Sequence, residues 1–191
     1  MIERPVAILC AAPRSIYKQI SGVEVYDRAR DMRTFAGGMP VVAHPPCRVW
    51  SLFTRHQAKP EPGEAELGLL CADWLKREGG VLEQPAHSLL FEAGDLPGPG
   101  QRHGYLRTIA VWQCWWGYPM QKATWLCFSH LDLHSLVIPF RLHNPGFDRR
   151  RQQLMSKQQR SATCESLARW LVDAARRVSA ATEGEEVPRE T

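Results

Sequence analysis

A short apolar run that ends against two prolines constrains the fold of this chain more than any other feature. Residues 41–43 read Val-Val-Ala, and His44, Pro45, Pro46 and Cys47 follow at once. Proline fixes φ and lacks the N–H donor of a sheet ladder, so a strand here must end before the prolines. Open α/β sheets carry their chemistry in the loops after the carboxyl ends of parallel strands. The pattern therefore predicts a buried strand that presents a thiol on a stiff loop.

Other apolar runs alternate with helical segments, which predicts an α/β fold. Strands are predicted over 6–10, 23–27, 41–43 and 81–83, helices over 64–77 and 163–178, and an antiparallel strand pair over 109–116 and 124–128. The expected architecture is a Rossmann-like, mostly parallel sheet with flanking helices and the antiparallel pair in the C-terminal half. Residues 1–180 are expected to form a single domain, and 181–191 a disordered tail.

Composition narrows the class of protein. The 191 residues are 44% hydrophobic and 23% charged, as in an ordinary globular domain with a sizeable core. No apolar run reaches the roughly 18 residues of a membrane span, and Glu3 and Pro5 stand where a signal peptide has its apolar core. A cytoplasmic protein without membrane contact is therefore expected. The net charge of +4 permits contact with a polyanion without requiring it.

The cysteines do not form a recognisable metal or disulfide motif. Six are scattered along the chain, and no pair has the CxxC spacing. The segment 127–134 contains cysteine, histidine and aspartate but lacks a paired ligand motif. No metal site is expected.

Two strand ends carry residue types suited to catalysis. Cys47 follows one strand, and Glu83 closes the next in the sequence Glu83-Gln84-Pro85. If these strands are neighbours, a nucleophile and an acid meet in one crevice. His44 and Arg48 are candidates for lowering the pKa of the thiol. The alternatives are a structural cysteine and a glutamate that caps the following turn.

These pieces, in this order, resemble the DNA cytosine-5 methyltransferases. In that family, a Pro-Cys loop supplies the thiolate that adds to C6 of a flipped cytosine, and a glutamate before an Asn-Val or Asn-Pro pair contacts N3. Pro46-Cys47 with Ser51 resembles the first motif, and Glu83-Gln84-Pro85 the second. The segments 117–125 and 154–163 are similar to the strand that positions the base and to the closing segment. Small phage-encoded and prophage-encoded relatives with a His-Pro-Pro-Cys loop are more similar still.

The resemblance implies a role for each matching residue. Cys47 and Glu83 would be catalytic, and Asp27 would hold the ribose of S-adenosylmethionine. The residues implied to bind substrate are His44, Arg48, Ser51, Gln84, Lys122, Thr124 and Arg160. The expected partner is nucleic acid, chiefly DNA, or a nucleotide, in the cytoplasm of a bacterial host.

The chain also departs from that family. The stretch 10–15, Cys-Ala-Ala-Pro-Arg-Ser, lacks the glycines that let a backbone approach the methyl donor. Lys122 is not equivalent to the family's arginines, and little of the chain is left for a target recognition domain. Two alternatives therefore stay open. One is a non-catalytic nucleic-acid-binding relative that has lost the methyl-donor site, and the other is an enzyme that acts on free nucleotides.

Overall fold

A computed structural model of the protein describes residues 4–52, 55–140, 153–156, 159–160 and 162–178. Within these residues, seven strands form one mixed sheet with helices on both faces. The strands are β1 (Val6–Leu9), β2 (Val23–Val25), β3 (Val41–Ala43), β4 (Gly80–Pro85), β5 (Arg102–His103), β6 (Leu106–Trp112) and β7 (Ala123–Ser129). The α-helices are α1 (Glu64–Glu78), α2 (Leu90–Ala93) and α3 (Glu165–Arg176). Short 3₁₀ helices span Ile16–Gln19, Met32–Thr34, Arg55–Gln57, Gln113–Trp116 and Leu133–Ser135.

The strand order is β2-β1-β3-β4-β7-β6-β5. The first four strands are parallel, and β4, β7, β6 and β5 pair antiparallel. The predicted α/β fold, with its parallel strands and antiparallel pair, is thus confirmed. The tail predicted over 181–191 lies outside the described residues. None of the described helices is long and apolar enough to cross a membrane.

Three predicted strands extend too far. Those expected over 6–10 and 23–27 end at Leu9 and Val25. The strand expected over 109–116 ends at Trp112, where the hairpin to β7 closes through a hydrogen bond from the Gln113 N–H to the Lys122 carbonyl oxygen (3.0 Å). The chain then winds into the 3₁₀ helix Gln113–Trp116, which ends at Gly117 with φ of 90°. Glycine adopts this left-handed conformation without steric cost, so the turn is easily made there.

The core strands are apolar along their length because both faces of the sheet are covered. In β1, Val6 and Ile8 pack on the side of α3, whereas Ala7 and Leu9 pack on the side of α1. This alternation follows from the opposite directions of successive side chains in a strand. It explains why β1 and β3 read as unbroken apolar runs rather than as alternating patterns.

A glycine pair sets the register between β3 and β4. Helix α1 ends at Gly79, and Gly80 begins β4 with φ of 122°. A Cβ atom on Gly80 would lie 2.0 Å from the carbonyl oxygen of Val41, so only glycine fits against β3 here. The resulting register places Ala43 beside Leu82. The next residues along the two strands are His44 and Glu83, which therefore emerge side by side.

The order in which successive strands are added to the sheet reverses at β1. Strand β2 lies on one side of β1, and β3 lies on the other. Crevices outside the carboxyl ends of strands at such a switch point are the usual ligand sites of open α/β sheets. The loop that contains Cys47 follows the carboxyl end of β3 and therefore lies beside this crevice.

Candidate functional site

Glu83 is the centre of a hydrogen-bonded network at the carboxyl end of β4. The side chain is largely buried, and each of its oxygens has a partner. Oε2 lies 3.2 Å from Nδ1 of His44, and Oε1 accepts a hydrogen bond from Nε2 of Gln113 (2.9 Å). Burial alone would raise the pKa of Glu83, but the His44 hydrogen bond, the charge of Lys122 and the Gln113 amide outweigh it and lower the pKa. Glu83 is therefore a carboxylate near neutral pH.

His44 links Glu83 to a buried tyrosine. Its Nε2 lies 2.7 Å from the hydroxyl oxygen of Tyr17, which belongs to the 3₁₀ helix Ile16–Gln19. Tyr17 is 1% exposed, and this burial, together with the charge of Glu83, raises the pKa of Tyr17 well above its ordinary value. The phenol thus keeps its proton, and its hydroxyl holds His44 in place.

On the other side of Glu83, the network continues into β7. Nε2 of Gln113 also donates to Oγ1 of Thr124 (3.0 Å), and that hydroxyl donates to the carbonyl oxygen of Lys122 (3.3 Å). Gln113 and Thr124 are both fully buried. The role of Thr124 in binding and positioning substrate stays a prediction. In the structure its hydroxyl is enclosed and bonded within the protein, where it supports Gln113 and, through Gln113, Glu83.

Cys47 opens a turn beyond the prolines, and its side chain is exposed. The N–H groups of Trp50 and Ser51 donate to its carbonyl oxygen (3.2 and 2.9 Å), which fixes the turn. Desolvation by the surrounding protein raises the pKa of the Cys47 thiol, and the charge of Glu83 raises it further. Lys122 and Arg48 lower it, but by less. Arg48 thus acts in the predicted direction and is outweighed, so the resting group is a thiol.

Lys122 brings a positive charge to the site. Its positive charge acts on both Cys47 and Glu83, and its ammonium lies 5.4 Å from the centroid of the Tyr118 ring. The Tyr118 hydroxyl in turn donates to the carbonyl oxygens of Gln159 (3.4 Å) and Arg160 (3.3 Å). This contact places part of the predicted closing segment beside the site. The Arg160 guanidinium itself donates to the carbonyl oxygen of Met155 (2.7 Å).

Two residues predicted to bind substrate instead hold the Cys47 loop. Gln84 is 1% exposed and donates to the carbonyl oxygen of Pro45 (2.6 Å), while its own oxygen accepts from the hydroxyl of Ser88 (3.0 Å). Arg48 pairs with Glu64 at the start of α1 and with Glu61. The substrate-binding role of Gln84 stays a prediction, and in the structure both polar atoms of its amide have partners within the protein. Arg48 stays close to the thiol, but its guanidinium is directed to carboxylates.

Asp27 lies two residues beyond β2, which ends at Val25 and not at Asp27 as predicted, and its carboxylate is already paired. Oδ2 lies 2.5 Å from the ammonium of Lys18, and Oδ1 accepts hydrogen bonds from the N–H groups of Ala29 (2.8 Å) and Arg30 (3.2 Å). The Lys18 hydrogen bond outweighs burial and lowers the pKa of Asp27. The residue therefore closes a turn and forms an ion pair with Lys18.

The end of β1 does not fit a methyl donor either. Cys10 has φ of 59°, and its Sγ points to Sδ of Met32 (3.1 Å) and Sγ of Cys71 (3.7 Å). The next residue, Ala11, is 7% exposed. With no glycine in this loop and Asp27 paired to Lys18, the described residues do not fit the adenosyl group of S-adenosylmethionine. No group of three or more histidine, cysteine or acidic residues among them could hold a metal ion.

The site thus joins an exposed thiol, a buried carboxylate and an ammonium at the carboxyl ends of the neighbouring strands β3 and β4. Comparisons with protein-family models, with curated proteins and with solved structures found no match for this chain. Local patterns did not reveal Tyr17 and Gln113, although both lie in the network around Glu83. Gln113 could have been found because it is a polar residue inside the otherwise apolar run Val-Trp-Gln-Cys-Trp-Trp, which indicates a buried side chain with hydrogen-bond partners.

Proposed function

We propose that the protein is an enzyme that modifies a pyrimidine base by the covalent chemistry of the DNA cytosine-5 methyltransferases. The observation that carries this proposal is the convergence of Cys47 and Glu83 from adjacent parallel strands, with the charge of Lys122 acting on both. A nucleophile, a group that contacts the ring nitrogen and a cation for the developing negative charge are what addition to a pyrimidine requires. The resemblance in motif order supports the same chemistry.

In this mechanism, Cys47 attacks C6 of the base. The thiol first loses its proton to solvent, and the charge of Lys122 stabilises the thiolate. The sulfur then forms a bond to C6, and the electron pair of the C5=C6 double bond moves towards C5 and the exocyclic group at C4. Glu83 contacts N3 and orients the ring. His44 and Gln113 hold Glu83, while Gln84 and Arg48 hold the loop that carries the thiol.

The proposed mechanism contains no methyl transfer, because the residues at the ends of β1 and β2 do not fit S-adenosylmethionine. Addition at C6 nevertheless makes C5 basic. A proton from solvent can then add to C5. Loss of the original C5 hydrogen as a proton to solvent re-forms the C5=C6 double bond, and the C6–S bond breaks to release the Cys47 thiolate. The expected elementary activity is therefore exchange of the C5 hydrogen of a pyrimidine with water.

Release of tritium from C5-labelled pyrimidines tests this proposal. Single-stranded oligonucleotides and free nucleotides labelled at C5 are the two substrate forms. Cys47→Ala should abolish release, whereas Cys71→Ala, which removes a buried thiol within α1, should retain it. Equal release by the wild-type protein and by Cys47→Ala would refute the covalent mechanism. Release from only one of the two forms separates a nucleic-acid enzyme from a nucleotide enzyme.

A second candidate function is nucleic-acid binding by a relative that has lost its methyl-donor site. The pairing of Asp27 with Lys18 favours it, because the acid expected at the ribose is occupied. Calorimetry with S-adenosylmethionine and its demethylated product, combined with gel shifts on single-stranded and duplex DNA, tests this candidate. It predicts DNA binding without cofactor binding and without tritium release, and tight cofactor binding would exclude it.

A further inference from the structure

Glu83 has directions left in which it can carry a proton towards a ligand. Each carboxyl oxygen has two lone-pair directions, and His44 and Gln113 occupy one direction on each oxygen. The side chain is 12% exposed, so it keeps an opening to the crevice. A proton held in a remaining direction would serve a ring nitrogen such as N3 of a pyrimidine. Glu83 can therefore act as an acid, provided that another group supplies the proton.

The source of that proton is the question, because Glu83 rests as a carboxylate with a lowered pKa. Two of the described side chains are hydrogen-bonded to Glu83, and one of them, the amide of Gln113, does not titrate. In the proposed mechanism, Cys47 gives its proton to solvent. The phenol of Tyr17 holds its proton, since burial raises its pKa. The other hydrogen-bonded neighbour is His44, and histidine is the side chain that changes charge near neutral pH.

Tyr17 holds the ring of His44 in place in both of its charge states. The Tyr17 hydroxyl oxygen lies 2.7 Å from Nε2, and a hydroxyl can accept from an N–H or donate to a bare nitrogen. When the ring is cationic, Nε2–H donates to Tyr17, and Nδ1–H donates to Glu83 across 3.2 Å. After the ring has given up the hydrogen of Nδ1, Nε2 keeps its own hydrogen and its contact with Tyr17. The ring therefore exchanges a proton with Glu83 without moving.

We propose that His44 supplies the proton that Glu83 delivers to N3 of a base whose N3 carries no hydrogen, as in cytosine. This inference rests on the proposed function. As the sulfur of Cys47 bonds to C6, the electron pair of C5=C6 moves to form C4=C5, and the pair of C4=N3 moves onto N3. The hydrogen of Nδ1 passes to Glu83, and Glu83 passes a proton to N3. The ring of His44 becomes neutral, Glu83 ends as a carboxylate, and the adduct is uncharged.

This role gives the reaction two opposite pH requirements. The nucleophile must lose a proton, whereas His44, a positioning residue that acts through Glu83, must hold one, so the rate should follow a bell-shaped pH profile. Glu83 and Tyr17 are the titratable groups that face the ring, and Lys122 and Cys164 act electrostatically on those two. All of these groups remain when the imidazole alone is replaced.

The pH dependence of tritium release tests the role of His44. The substrate is a single-stranded oligonucleotide with one C5-tritiated deoxycytidine, and enzyme-dependent initial rates are measured from about pH 5 to about pH 10. His44→Asn and His44→Gln keep an amide near the positions of Nδ1 and Nε2, respectively, but neither titrates. At the wild-type optimum, each variant should be at least about tenfold slower. Its rate should rise with pH without the falling limb of the wild-type profile.

Tyr17→Phe is the control, because it disturbs the same network but keeps the imidazole, so its profile should stay bell-shaped. A falling limb that persists in both His44 variants would overturn the inference, while Cys47-dependent release by the wild-type protein would leave the covalent mechanism intact. Absence of Cys47-dependent release from the wild-type protein would overturn the mechanism and the inference together. Urea unfolding checks that each variant is folded, and either His44 variant suffices for the test.

Discussion

One of the attachments that hold the Cys47 loop is the buried amide of Gln84, which Gln84→Leu removes. The substitution keeps nearly the same volume but deletes the donor to the Pro45 carbonyl oxygen and the acceptor for the Ser88 hydroxyl. Gln84 is 1% exposed, so water cannot easily replace either partner. The loop would keep its prolines but lose its attachment to β4.

The expected cost follows from these two hydrogen bonds. An unsatisfied buried polar group costs about 1–3 kcal/mol. The Pro45 carbonyl has no described alternative donor, whereas the Ser88 hydroxyl can rotate towards another acceptor. We therefore expect the variant to lose about 2–4 kcal/mol in the free energy of unfolding. Gln101→Leu is the matched control, since Gln101 is exposed and its oxygen accepts only the Gly98 N–H (3.0 Å), and it should cost less than about 1 kcal/mol.

Urea unfolding measures both variants, and hydrogen exchange over residues 45–51 reports on the loop itself. Gln84→Leu should lower the unfolding midpoint with an unchanged slope and speed exchange in the loop. The reasoning would be refuted if Gln84→Leu cost no more than Gln101→Leu, or if exchange over 45–51 stayed unchanged. In that case the amide would not be what holds the thiol in place.

Three further changes test other parts of the structure. Gly80→Ala should cost more than about 3 kcal/mol in the free energy of unfolding by urea, because the new methyl group would collide with the backbone of β3 and the residue has a positive φ. Gly38→Ala, which also has a positive φ but open space around it, is the control and should cost about 1–2 kcal/mol. Equal costs would contradict the role given to the close approach at Gly80. Alkylation of Cys47 should rise with pH around a midpoint above the ordinary thiol pKa of about 8.5, and Glu83→Gln should lower that midpoint by removing a negative charge; an unshifted midpoint would contradict the electrostatic coupling. Tyr17→Phe should cost about 1–2 kcal/mol by leaving a nitrogen of the histidine ring unpaired, and no loss would show that the bond is unimportant.

The parallel half of the sheet was predictable because its signals are local. Strand β3 has the predicted bounds, since an apolar run against Pro45 must end there. The adjacency of Cys47 and Glu83 required one further fact, that β3 and β4 are neighbours, and the sheet order supplies it. The register that brings His44 beside Glu83 depends on the close approach at Gly80, which the sequence alone does not reveal.

The polar network was not predictable, because it depends on contacts between distant segments and not on local signals. Tyr17 contacts His44, and Gln113 contacts Glu83, from segments far apart in the chain, and nothing in their local sequence distinguishes them from packing residues. Gln84 and Asp27 show the converse case. Their residue types suit ligand contacts, but each finds its partners within the protein, and such partners are determined by tertiary packing rather than by motif.

The central claim is that Cys47 forms a covalent bond to a pyrimidine, and trapping that bond tests the claim most directly. A single-stranded oligonucleotide with 5-fluorodeoxyuridine is suitable, because fluorine makes C6 more electrophilic. After incubation and denaturation, mass spectrometry should find an adduct of protein and oligonucleotide that maps to Cys47 and is absent in Cys47→Ser. An adduct at another cysteine, or the same yield with Cys47→Ser, would contradict the account.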